Sequence, residues 1–193
     1  MNIHIVDGNN KLGKTPNIST LPGVDCGPGM PCAKDCYAQK FLFRPSVNAA
    51  WSENSELQRK NPGEYFTQIA AWFMRHKPVP WFRVHVAGDF INQNTLDNWF
   101  GIADCVPETG FLAFTKRFDL DFRARPKNFT IRASMWPGWG NPSRLRRGGL
   151  SIAWTQDGTE TRIPDRHVEC PGSCVSCRAC WASPLDVVIR KHR

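Results

Sequence analysis

Nowhere does the chain hold the eighteen or so consecutive apolar residues of a membrane-spanning helix. Its opening, "MNIHIVDGNN", has neither the basic start nor the apolar stretch of a secretory signal. Both absences point to a soluble protein without membrane contact, expected in the cytoplasm. Tyrosine is scarce, at 2 residues against 12 Phe and 8 Trp. No low-complexity tract, internal repeat or evident linker divides the sequence, which argues against a solenoid or a tethered pair of domains. At 193 residues the chain reads as one domain, residues 1–193, long enough to bury a core without covalent staples.

Cysteine, in contrast, is plentiful. Seven of the 8 cysteines fall in two clusters, with Cys105 alone between them. In a reducing compartment such clusters are metal ligands or catalytic thiols more often than disulfides. Cys105 follows an apolar helix face and precedes Pro107, so it is expected to be buried and inert. Net charge is +8, with the excess concentrated in "KRFDLDFRARPK" (116–127) and "RLRR" (144–147). Such charge suits an anionic partner, either nucleic acid or a phosphorylated small molecule, and equally a solvated basic face.

Residues 7–31 are rich in Gly and Pro and read as a long loop after a short strand in "NIHIV". Tyr37 to Phe43 is expected to open the first helix and Ser46 to Arg59 to form the next. "NPGEYFTQIAAW" places Tyr65, Ile69, Trp72 and, one residue on, Phe73 on one helical face. "WFRVHVAGDF" alternates Phe82, Val84 and Val86 against Arg83, His85 and Ala87, the pattern of a strand. "NTLDNWFGIADC" is helical, with Asn94 as its expected N-cap. Further strands are expected at 110–115, 129–134, 150–155 and 186–189. The alternation of strands and helices predicts an α/β fold with a parallel sheet. The chain is short for a full eight-fold barrel, so a partial or reduced (β/α) barrel is expected.

The first cysteine cluster is Cys26-x5-Cys32-x3-Cys36, in the loop segment 22–40. Its soft thiolates suit zinc, copper or an iron–sulfur centre, and Gly and Pro let the backbone wrap closely around such a group. The second is "CPGSCVSCRACW", Cys170-x3-Cys174-x2-Cys177-x2-Cys180, in segment 165–184. Four ligands this close are crowded for one tetrahedral zinc and nearer to the cysteine runs of ferredoxins, here with the three-residue gap first. Zinc stays open as the alternative there. Spacing also leaves open whether the clusters hold two centres or share one.

Other residues carry weaker signals. His85 would face a barrel interior as a proton donor, a metal ligand or a plain hydrogen-bonded histidine. Thr115, Lys116 and Arg117 end a strand where α/β sheets bind ligands, and would hold a carboxylate or phosphate or form a plain basic rim. Trp136 and Trp139, in "MWPGWGNP", would stack on a base or merely cover the sheet's end. "GNNKLGKT" (Gly8 to Thr15) fits the P-loop pattern formally, but Pro16 follows and no helix opens there to aim at a phosphate.

"LPGVDCGPGMPCAKDCYAQK", "VHVAGDF", "FLAFTKR" and the closing "CVSCRACW" together resemble a bacteriophage family named after gene product eighty-eight. The resemblance covers most of the chain in motif order. These phage proteins look like distant, shortened relatives of radical S-adenosylmethionine enzymes. The resemblance implies a 4Fe–4S cluster on Cys26, Cys32 and Cys36, with one iron open to S-adenosylmethionine. One electron then splits that cofactor into methionine and a radical that abstracts hydrogen from a substrate. It further implies Tyr37 packed beside the cluster, and Gly88 and Asp89 meeting the cofactor's amine. The superfamily's usual gaps are three and then two residues. The alternative reading is a non-enzymatic basic protein, stapled by zinc or a structural cluster, that binds nucleic acid.

Overall fold

Alternation along four neighbouring strands sorts side chains onto two faces of one sheet, and these faces have different chemistry. The computed structural model describes residues 1–76, 79–156 and 163–190. Its strands are β1 (Ile5–Val6), β2 (Asn17–Ile18), β3 (Trp81–Val84), β4 (Gly110–Thr115), β5 (Phe129–Met135), β6 (Ser151–Gln156), β7 (His167–Glu169) and β8 (Asp186–Arg190). They run in the order β1-β2-β3-β4-β5-β6-β8-β7, all neighbours parallel except the antiparallel β1–β2 pair. The helices are α1 (Pro45–Lys60), α2 (Pro62–Arg75), α3 (Gln93–Cys105), α4 (Pro142–Arg147) and α5 (Ala179–Ala182).

The α/β expectation holds. Barrel closure is another matter, since no ladder among the described residues joins β1 to β7 and the sheet is a linear one. Its edge strands have two and three residues, too few to offer a long pairing edge.

On the outer face, Phe82, Val84, Phe111, Ala113, Phe129, Ile131 and Ala133 pack under α2 and α3. Aromatic rings tie the layers together. Phe73 of α2 lies 5.0 Å from Phe82, Phe82 lies 5.7 Å from Phe111, and Phe111 stacks on Phe129 at 5.5 Å. Fully buried Trp99 and Tyr65 extend the same core. Burying aromatics of this size dominates the energy of such a layer.

The inner face carries Trp81, Leu112 and Phe114 with two arginines, Arg83 and Arg132. Leu12 from the N-terminal turn and Trp181 from α5 cover it, and Cys174 and Cys180 pack alongside. Trp181 Nε1 donates to the Gly110 carbonyl at 3.1 Å, and Thr130 Oγ1 donates to the Trp181 carbonyl at 3.0 Å. So the short helix α5 lies across the inner face of β4 and β5.

Several local expectations change. Tyr37–Phe41 is a 3-10 turn, and the first α-helix begins at Pro45, where proline fits the opening turn. The cap of α3 is Asn92, whose Oδ1 accepts from the Thr95 amide, in place of Asn94. Cys105 is exposed, because it closes α3 on the side away from Leu96, Trp99, Phe100 and Ala103.

His85 departs most. Its φ of 52° breaks the alternation of β3, so Val86 turns to the inner face while the imidazole packs against Phe90 and Trp99 of the outer core. It is 2% exposed and neither ring nitrogen has a hydrogen-bond partner. Burial, with Arg83 adding to it, pulls its pKa down to about 3. The unfolded chain takes up this proton near pH 6.5 and the folded chain does not. Stability is therefore full above pH 6.5 and falls as pH drops toward 3. Between pH 6.5 and 5 the loss from this one residue is about 2 kcal/mol. Denaturant midpoints of the wild type and of His85→Phe over that range should diverge by that amount, and parallel pH slopes would disprove the assignment.

Candidate metal centre and sheet rim

Both cysteine clusters leave the C-terminal ends of parallel strands, the end at which α/β sheets gather their ligands. The first follows β2. Its loop is anchored to α1 through Asp25, whose carboxylate accepts from Arg59 Nε at 2.6 Å, while Arg59 Nη2 donates to the Val24 carbonyl. Cys32 and Cys36 each precede a 3-10 turn, at Ala33–Asp35 and Tyr37–Phe41. Cys26, Cys32 and Cys36 are all partly buried and free. Burial pushes the Cys26 thiol up to about 11 against a Gly23 backbone hydrogen bond, and Asp89, Cys32 and Cys36 are near enough to add to the rise.

Tyr37 leaves its ring half exposed and sends its hydroxyl inward to donate to the Val86 carbonyl. Burial of that hydroxyl end raises its pKa, with Arg83 opposing and the first-cluster thiols adding. Tyr37 thus bridges the first cluster and the end of β3.

Gly88 follows β3 with a φ of 81°. A Cβ there would sit 2.1 Å from Thr20 Oγ1, so only glycine lets the segments after β2 and β3 meet, and the Thr20 amide donates to the Ala87 carbonyl at 3.0 Å. Asp89 is buried. Its Oδ1 accepts from the Phe90 amide and from Thr115 Oγ1 at 2.8 and 2.7 Å, and its Oδ2 from the Lys116 amide at 2.9 Å. Burial raises its pKa and these three donors oppose the rise. The carboxylate therefore joins the ends of β3 and β4.

Lys116 Nζ donates to Ser134 Oγ at 2.9 Å and lies 5.9 Å from the Trp136 ring. Arg117 reaches the Phe90 and Ile91 carbonyls and pairs with Asp119 at 2.7 Å. Trp136 and Trp139 pair across a tight turn after β5. "GNNKLGKT" is a turn closed by Asn9 and Gly13, and no helix follows it, which removes the P-loop.

The second cluster begins at once after β7. The Cys170 amide donates to the Val188 carbonyl and the Cys174 amide to the Lys11 carbonyl. Val175 crowds Gly13, and Arg178 Nη1 donates to Thr15 Oγ1 at 2.9 Å, so this segment is docked on the N-terminal turn. Burial pushes the Cys180 thiol up to about 11, opposed by Arg83 and Arg132, with Cys170 and Cys174 adding. Burial also raises Cys174, opposed by Lys11, Arg83 and Arg178. Cys177, on the same segment, is partly buried and free.

Arg132 holds the segment in place. Fully buried, it donates to the carbonyls of Ala179, Cys180, Ser183 and Leu185 at 2.6–3.0 Å. An arginine in the middle of a strand, "FTIRAS", is the available sequence signal for this role. Part of the basic stretch is ion-paired, Arg117, Arg123 and Arg146 with Asp119, Asp121 and Asp186.

Among the described residues, no three His, Cys, Asp or Glu side chains as they stand surround a point that would hold a metal ion. The donor chemistry nevertheless fits a thiolate-bound metal. All eight thiols are free, seven lie in two groups, one on the loop after β2 and one after β7, and cations flank the second group.

Fold and site define a cysteine-rich α/β protein with no helix, among the described residues, long and apolar enough to cross a membrane. The chain belongs to the Gene product 88 family, whose model matches residues 5–183. No curated protein and no solved structure is significantly similar to it.

Arg132→Met should destabilise the fold by at least about 3 kcal/mol, because the buried carbonyls lose charged donors. Limited proteolysis should then cut first between 165 and 184. Unchanged stability and unchanged protection would contradict the anchoring role.

Proposed function

We propose that this protein binds iron–sulfur clusters through thiolates from both ends of the chain. Cys26, Cys32 and Cys36 hold a 4Fe–4S cluster, and Cys170, Cys174, Cys177 and Cys180 hold a second centre. The observation that carries the reading is that three free, partly buried thiols share the loop after the first parallel strand, near Tyr37 and with Cys26 near Asp89. Its support also includes the sequential strand order, which suits the reduced barrel implied by the resemblance to radical S-adenosylmethionine enzymes.

The cluster, when bound, supplies one-electron chemistry. The chain's own residues bind and orient. The Cys26 loop is fixed by the Arg59–Asp25 pair, and Tyr37 closes one side with its hydroxyl spent on Val86. Lys116 gives the rim a positive edge suited to the carboxylate of S-adenosylmethionine, with Gly88 and Asp89 on the side assigned to its amine.

Anaerobic purification of the full chain with iron and acid-labile sulfide analysis tests the claim. A brown protein with at least four irons per chain is expected, and Cys26→Ser combined with Cys32→Ser and Cys36→Ser should remove one cluster's worth. A folded, oxygen-protected protein that is colourless, or that carries only zinc, contradicts it. For cofactor cleavage, reductant and S-adenosylmethionine should yield 5′-deoxyadenosine from loaded protein, and none from a fully loaded sample removes that part.

A further inference from the structure

Arg83 stands on the inner face of β3, where its guanidinium lies 4.1 Å from the Phe114 ring. Its Nε is closed off from water and has no hydrogen-bond acceptor among the described residues, and no ion pair among them neutralises the partly buried group. A buried charged N–H without an acceptor is expensive, and folded proteins rarely keep one unless something completes it.

The neighbouring acceptors are already engaged. Asp89 is held by Phe90, Thr115 and Lys116, and the Tyr37 hydroxyl donates a hydrogen bond to the Val86 carbonyl. What remains is sulfur. Cys174 and Cys180 pack with Phe114 on the inner face, and Tyr37 ties the first cluster to the same strand end. Arg83 feels Tyr37, Cys180, Cys174 and Asp89 at once.

We propose that Arg83 is a positioning residue for the anionic, thiolate-bound centre, donating from its guanidinium to metal-bound sulfur on the inner sheet face. The inference rests on the cluster-binding function proposed above. Metal-bound sulfur is thiolate, and hydrogen bonds from a guanidinium to an anion are the strong kind. When dithionite gives a centre one electron, the centre becomes one charge more negative and the fixed cation favours that reduced form. Arg83 therefore raises the reduction potential and tightens metal binding.

The test uses the full chain reconstituted anaerobically with ferrous iron and sulfide, as wild type, Arg83→Gln, Arg83→Met and Arg83→Lys. The methionine variant keeps an apolar stem on Phe114 and serves if the glutamine variant does not fold. Dithionite titration followed by EPR gives the midpoint potential, and competition with a chelator gives metal affinity. At equal iron content, the neutral variants should show a lower midpoint and at least about tenfold weaker metal affinity. Arg83→Lys, which keeps the charge, should recover most of the potential. Equal potentials and affinities in wild type and a folded neutral variant overturn the role of Arg83 and leave cluster binding standing. A wild type that takes up no iron overturns cluster binding, and this role with it.

Discussion

Two arginines on the inner face of a single sheet set the arrangement on which the rest depends. Arg132 and Arg83 replace the aliphatic side chains that their strands would otherwise present. Arg132 is satisfied by four main-chain carbonyls of the C-terminal segment, and so folds the end of the chain over the sheet. That docking brings Cys174 and Cys180 onto the inner face, while the loop after β2 sets Cys26 near Asp89 at the end of β3.

The outer face does a different job. Its ladder of phenylalanines and Trp99 buries enough aromatic surface under α2 and α3 to hold the sheet without help from the cysteines. The inner face is thereby free to be polar. A metal at the thiols would add to an existing core rather than supply the only one, in contrast to small domains that unfold without metal. The strand-end network of Asp89, Thr115 and Lys116 extends the same division of labour, since it stiffens the rim through buried hydrogen bonds.

Much of this was legible in the sequence because alternation and punctuation are local signals. "GFLAFT", "FTIRAS", "LSIAWT" and "DVVI" gave strands β4, β5, β6 and β8, and the spacing of Tyr65, Ile69, Trp72 and Phe73 gave α2. The cysteine spacings marked the two thiol-rich segments. Three things were hidden. One left-handed residue, His85, turned its own side chain and Val86 to unexpected faces, which no alternation pattern foretells. The surroundings of Arg132 and Arg83 depend on a segment some fifty to a hundred residues away. And β7 has three residues, too few for a periodic signal.

The basic character of the late segments looks different once the ion pairs of Asp119, Asp121 and Asp186 are in place. The cations that stand out are those near sulfur. Lys11, Arg83, Arg132 and Arg178 surround the second cluster, where a set of bound thiolates would concentrate negative charge. X-ray absorption at the iron edge of anaerobically prepared wild-type protein addresses that pairing of thiolate with metal directly. The account predicts a first shell dominated by sulfur at about 2.3 Å, a thiolate–metal distance, with a neighbouring iron beyond it. A first shell of nitrogen or oxygen with no iron neighbour would contradict it.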